Sequence, residues 1–464
     1  MAVSADVQGI SLSSADTGLY GARRITAMSA VLLSLLLSVL DYAVANVALP
    51  AIAHDIHTPE SSVIWVVNAY QLANLSCLLP LASLGARFGY ARMSQCGIIL
   101  FLIASVACAL SKTLPEIALA RALQGVGGAC IMSVNLALVR FIYPKSELGR
   151  GISINGLFIG IGVAVGPTLG SVVLSVASWP WIFWINLPLA LAALLMARFA
   201  LPETPHSTAP VDVTGSLLTV LAFACIGIGL DGLSHGMLPM GGLVTIVGVL
   251  CWWQLLRLQK CRAEPIVPVD LLKRRPFMLA CLVGYMSFIA SNLYIVAMPL
   301  TLNLMFHRDP ATIGLLISPW AVGVALMSYV VGLFSDRVPA SILSSIGMVT
   351  VTIGFFLLWL LPADASNLDI IWRTLLSGCG FGTFQPPNNR AIMLSAPKGR
   401  EGSASGMLSV ARLGGQTTGA LFVAALFTAF EHPSSLCLAG AASMAGLAAF
   451  LSVTREFWAG GKAS

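Results

Sequence analysis

Apolar runs of membrane-crossing length, separated by short polar stretches, recur along this chain from end to end. Fourteen can be counted, at about 25–52, 62–84, 93–111, 116–141, 150–176, 179–200, 213–231, 237–257, 277–304, 312–334, 341–361, 368–388, 402–428 and 434–453. A helix needs about 20 apolar residues to cross a bilayer. Barrel strands would be about ten residues of alternating polarity, and no such alternation is present. The pattern predicts an all-α polytopic membrane protein with 14 transmembrane helices. Residues 1–22 are polar and the first apolar run is too long for a signal h-region, so no cleavable signal is expected.

Composition agrees: 57% of the residues are hydrophobic and 9% charged, against about 25% charged in a soluble domain. With the N-terminus placed in the cytoplasm, the inner segments collect most of the Lys and Arg, among them Arg87, Arg140, Arg150, Lys273, Arg274 and Lys398. The outer loops hold only Lys112 and Arg308. That bias predicts both termini on the cytoplasmic side of an inner (plasma) membrane. The net charge of +6 then follows from topology, and no nucleic-acid partner is needed to explain it.

Candidate chemistry is sparse. The ten cysteines are scattered without a C-x-x-C pair, which suits packing better than a disulfide framework or a metal site. The six histidines fall in loops or at helix ends. Asp41, in "LDYAVANVALP", is then the only acid clearly within a span. No constellation expected of a membrane enzyme, such as H-E-x-x-H, is present, so a non-enzyme without cofactor or metal is expected. Arg121, Arg373 and Arg412 lie within apolar runs.

Weak internal repetition organises the runs. Arg87 in "SLGARFG" matches Arg337 in "GLFSDRV" at an offset of 250; Arg121 matches Arg373 at 252, and Gly151 matches Gly402 at 251. Two six-helix halves are predicted, 25–201 and 263–455, with helices 7 and 8 inserted at 202–262 between them, and with tails at 1–24 and 456–464. Parallel halves of this kind belong to major facilitator transporters.

The motifs carry a more specific resemblance, over about residues 25 to 455. "LDYAVANVALP" resembles the helix 1 signature of the fourteen-helix drug:proton antiporters of the major facilitator superfamily, with Ala43 where Thr is usual. "RALQGVGGA", "GVAVGPTLG", "SWPWIFWINLPLA", "GFGTFQPPNNR" and "GSASGMLSVARLGGQ" match further family motifs. The resemblance implies export of drugs or biocides driven by the proton gradient, with Asp41 and Arg121 in the proton pathway. It also implies gating by Gly162, Gly166, Pro167 and Gly170 and by the loop residues Arg87, Asp336 and Arg337. In the loop after helix 2 the chain departs from the family: Ala82, Ala86 and Tyr90 stand where Gly, Asp and Arg are usual. Ala86 cannot face a helix N-terminus as an acid would, so a single electrostatic latch, through Asp336, is expected.

Helical spacing adds its own reading. Ser34, Ser38, Asp41 and Ala45 form one narrow small-and-polar stripe, which must face protein or water. A charge at mid-bilayer costs at least a few kcal/mol, and intramembrane acids are functional by default. Arg121, Gln124, Gly128 and Asn135 form a second stripe; Ser405, Ser409, Arg412, Gln416 and Gly419 form a third. Arg373 and Arg412 are equally readable as interhelical staples or as cavity residues. Gly162, Gly166 and Gly170 make a smooth face for close helix packing, which by spacing alone is as consistent with packing as with gating. Asn68, Tyr70, Gln71 and Asn74 on helix 2, Tyr285, Phe288 and Asn292 on helix 9, and Arg412 with Gln416 are candidates to line a substrate cavity, and each could equally serve only to pack helices. Aromatic and amide linings suit a small amphipathic organic substrate, including lipophilic cations. A dedicated exporter of one metabolite on the same scaffold is the alternative.

Overall fold

The computed structural model describes residues 18–58, 60–63, 65–204, 206–207, 211–234, 237–259, 267–308, 310–334, 337–362, 364–397, 400–429 and 433–460. Asp336, most of the N-terminal tail and the loop 260–266 lie outside the described residues, as does the side chain of Pro167.

Among the described residues the fourteen runs form fourteen long helices. The first six are α1 (Gly21–Asp55), α2 (Trp65–Phe88), α3 (Tyr90–Leu110), α4 (Leu114–Ile142), α5 (Leu148–Val176) and α6 (Asn186–Ala200), the last preceded by the short turn Trp181–Trp184. Then come the hairpin α7 (Val213–Ser234) and α8 (Leu238–Gln259). The final six are α9 (Arg275–Leu304), α10 (Pro310–Phe334), α11 (Ala340–Trp359), α12 (Asn367–Ser395), α13 (Glu401–Ala429) and α14 (Pro433–Gly460). Among the described residues ten spans are long and apolar enough to cross a membrane by length and composition alone. The other four helices, α2, α5, α12 and α13, carry amides, prolines or glycines on faces buried in the protein. Peripheral α8 shows the opposite pattern, with Leu243, Ile246, Leu250 and Trp253 exposed, as a lipid-facing helix requires.

The two halves repeat at the level of backbone contacts. Gly127 lets α4 approach the Gly97 carbonyl and the Phe101 amide of α3, and Gly380 lets α12 approach the Gly347 carbonyl and the Val351 amide of α11. A Cβ on Gly125 would strike the Tyr70 carbonyl, and one on Gly378 the Trp320 carbonyl. The helix starts correspond as well. Thr113 accepts from the Glu116 N–H at α4, within a capping box, and Ser366 accepts from the Asp369 N–H at α12. These pairs differ by 253 between α4 and α12, not 252, which corrects the sequence match. Thr374, not Arg373, therefore stands at the position of Arg121. Arg373 instead pairs with Asp369 at 2.8 Å and donates to the Leu357 carbonyl at 2.5 Å, near the α12 start.

The halves meet through α2 with α13, α4 with α13, and α5 with α10 and α12. The inserted hairpin lies outside this seam, with Gly227 of α7 packed on Leu72 of α2. Polar contacts between the halves gather toward the end that carries the N-terminus. There Arg140 donates to the Met393 carbonyl at 2.9 Å and pairs with Glu401 at 3.6 Å. Beside it, the Tyr90 hydroxyl accepts from the Gly402 N–H at 3.0 Å. The described polar contacts at the other end, such as Trp179 with Asp55 and Arg308 with Ala365, stay within one half.

Candidate functional site

Asp41 sits on the buried stripe of α1 with its side chain fully enclosed. Arg121 Nη1 of α4 donates to Asp41 Oδ2 at 2.5 Å. The other oxygen, Oδ1, accepts from Gln124 Nε2 at 2.8 Å and from Asn186 Nδ2 at 2.7 Å. Ser105 of α3 closes the network by accepting from Gln124 Nε2 at 2.9 Å. Arg121 has further contacts: Nε donates to the Val66 carbonyl at 2.8 Å and Nη1 to Gln124 Oε1 at 2.6 Å, the Tyr70 ring covers the guanidinium at 4.5 Å, and Nη2 has no hydrogen-bond partner among the described residues. Five helices and the turn before α6, which brings Phe183 over the guanidinium, thus converge on one carboxylate. All three side chains that touch it donate to it, and the bond from Arg121 is charge-assisted, so adding a proton to Asp41 removes the charge that this arginine answers.

The expected gating face lies beside this centre. On α5, a Cβ at Gly162 would meet Val39, one at Gly166 would meet Ala43, and one at Gly170 would meet Val44. These contacts bracket Asp41 on α1, so α5 rests against the helix that carries the acid. A cavity of about 420 Å³ lined by α1, α5, α6 and the turn before it reaches Asp41 and Asn186. Arg87, in the last turn of α2, and Arg337, just beyond α10, lie at the end that carries the N-terminus, away from Asp41; Arg337 is exposed and its backbone N–H donates to the Phe334 carbonyl.

The cavity candidates divide. Tyr70 belongs to the ionic centre, and Asn74 beside it donates to the Met132 sulfur at 3.4 Å. Asn68 and Gln71 are half-buried on the same helix. Tyr285 pairs its hydroxyl with Thr418 at 2.7 Å and lines an apolar cavity of about 660 Å³ between the inserted hairpin and α2, α9 and α13. Phe288 packs edge-on against Phe381; Asn292 and Gln416 are half-buried on α9 and α13. Arg412 reaches the polar seam between the halves, with Asn135, Asn155, Gln385, Asn389 and Ser409.

Three participants escaped the sequence reading. Asn186 and Ser105 are neutral residues whose importance comes only from what faces them, although an amide inside "WIFWINLPLA" was a visible signal. Tyr90 was read as a loss of charge, yet its phenol occupies the N-terminus of α13 that Ala86 leaves open.

The Major Facilitator Superfamily model matches residues 31–290 and 280–463. The chain is 41% identical over 442 residues to the uncharacterized transporter YebQ of Escherichia coli (strain K12), covering 94% of this chain and 97% of that one. It is 29% identical over 411 residues to the multidrug efflux pump LfrA of Mycolicibacterium smegmatis (strain ATCC 700084 / mc(2)155), covering 87% and 81%. Among solved structures it resembles the human organic anion transporter MFSD10 (TETRAN) in fold, with a TM-score of 0.68, 14% identity, and coverage of 92% and 99%.

Proposed function

Because the chain belongs to the major facilitator superfamily, and so is a multi-pass transporter and not an enzyme, we propose that it is a proton-coupled antiporter exporting small amphipathic organic molecules, drugs or biocides among them. We place it with the fourteen-helix drug:proton antiporters, in the inner membrane with both termini cytoplasmic. The observation that carries the reading is the buried Asp41–Arg121 pair. It is the only ion pair among the described residues in which both side chains are wholly enclosed.

A buried carboxylate met only by donors is a device with two states. Ionised, it holds α1, α4 and α6 together. Protonated, it gives up its hold on Arg121, and that cation keeps the Val66 carbonyl and Gln124 Oε1 as acceptors. Loss of one partner from a buried pair costs about 3–5 kcal/mol, enough to move a two-state equilibrium from one side to the other. The close glycine contacts of α5 on α1 supply the sliding surface beside the acid. In this reading the halves are closed at the cytoplasmic end by Arg140, Glu401, Tyr90 and Gly402.

The test is transport by purified protein in proteoliposomes under an imposed pH gradient. Wild-type protein is expected to concentrate a dye substrate against its gradient, and Asp41→Asn to lose uphill transport by at least tenfold at equal folded protein. Undiminished gradient-driven transport by Asp41→Asn would remove Asp41 from the mechanism.

A further inference from the structure

Three arginines within the helices, Arg121, Arg140 and Arg373, share one arrangement that Arg412 lacks. Arg121 donates to the Val66 carbonyl and pairs with Asp41. Arg140 donates to the Met393 carbonyl and pairs with Glu401. Arg373 donates to the Leu357 carbonyl and pairs with Asp369. Each is thus a staple, holding one backbone acceptor and one carboxylate. Arg412, twelve residues into the 29-residue α13, has no hydrogen bond and no ion pair among the described residues.

Its surroundings explain what it faces. Arg412 lines the seam where α1, α4 and α5 of the first half meet α12 and α13 of the second. In this conformation the seam leaves about 30 Å³, room for about two waters. Asn135, 6% exposed, spends its oxygen on Asn155 Nδ2 and leaves its own Nδ2 without a partner in the same seam. The remaining side chains that line it are neutral. Asp41, the carboxylate of the first half, is committed to Arg121, Gln124 and Asn186. The seam therefore offers a forked cation and a spare amide donor, with no acid to balance them.

Given a transporter that binds its substrate between the halves, as proposed above, we infer that the substrate carries an anionic group, such as a carboxylate or sulfonate on an amphipathic body. Arg412 holds this group through its forked N–H groups, whose geometry matches two anionic oxygens, and Asn135 Nδ2 adds a donor from the opposite half. Bridging the halves is what couples binding to closure. A lipophilic cation entering the same seam meets an uncompensated positive charge and only amides to offset it.

Binding of three fluorescent probes to protein in neutral-lipid nanodiscs tests the inference: the anion 8-anilinonaphthalene-1-sulfonate, its uncharged relative N-phenyl-1-naphthylamine, and the cation ethidium. Wild-type protein is expected to bind the sulfonate at least tenfold more tightly than either other probe. Arg412→Gln should remove that preference, Arg412→Lys should keep part of it, and Asn135→Ala should weaken sulfonate binding about threefold to tenfold. The wild-type ranking needs no variant, so poor folding of Arg412→Gln leaves the test intact. A wild-type preference for ethidium or the neutral probe, or an unchanged sulfonate affinity in folded Arg412→Gln, overturns the inference. The proton reading is judged separately, by gradient-driven transport of Asp41→Asn, so either can fail alone.

Discussion

Asn186 shows how much a neutral residue decides. Its amide gives Asp41 Oδ1 a donor at 2.7 Å, and a hydrogen bond to a charged group contributes about 1.5–3 kcal/mol. Asn186→Leu removes that donor, so gradient-driven transport in proteoliposomes should fall about tenfold at equal folded protein, while Asn186→Gln, which keeps an amide, should retain more of it. Equal transport by Asn186→Leu and wild type would remove the amide from the centre. Asp41 and Arg121 stood out in the sequence because a charge inside an apolar run must find a buried partner or water, and the structure pairs them. Asn186 and Ser105 were not, because a neutral polar residue in a helix acquires its role only from the residues brought opposite it. Arg121→Lys should fail to restore the centre, since one ammonium cannot reach Asp41, Gln124 and the Val66 carbonyl in the geometry of the fork.

Among the elements, the start of α13 is where the family's usual acid is missing, at Ala86, and a phenol is found. Tyr90 accepts from the Gly402 N–H, one of the donors that a helix N-terminus leaves unpaired. The single latch through Asp336 that the sequence suggested is therefore supplemented at α13 by an uncharged contact, while Asp336 itself lies outside the described residues. Tyr90→Phe keeps the ring and deletes the acceptor, at a cost of about 1 kcal/mol. That is enough to shift a balanced opening equilibrium about fivefold. Spin-label distances across the end that carries the N-terminus should report a larger open population, and this shift should persist at high salt, because no charge pair is being screened. The repeat was legible in outline from three matched positions, but its register in α12 was not. Arg373 resembles Arg121 in sequence, whereas packing of Gly125 with Gly378 and Gly127 with Gly380 places Thr374 there. Backbone approach, invisible in side-chain identity, sets the register. A methyl group at Gly378 would strike the Trp320 carbonyl, so Gly378→Ala should cost about 1–3 kcal/mol and lower the melting temperature in detergent.

For the whole molecule, fourteen runs of apolar residues were enough to predict fourteen helices in two halves with an inserted hairpin, because each crossing must be long and apolar whatever packs against it. The seam between the halves was less legible, since its polar residues come from four helices, α4, α5, α12 and α13. The unpaired cation at that seam has an electrical consequence. If one organic anion leaves for each proton that enters, two positive charge equivalents move inward per cycle. A potential of ~100 mV, negative inside, then adds about 4.6 kcal/mol to the driving force, at roughly 2.3 kcal/mol per charge. Proteoliposomes adsorbed on a capacitive electrode should give a transient current on addition of an anionic substrate, and clamping the potential with valinomycin and potassium should set the rate of export even at equal pH. A substrate that is a monovalent cation, exchanged one for one with protons, would give no net current.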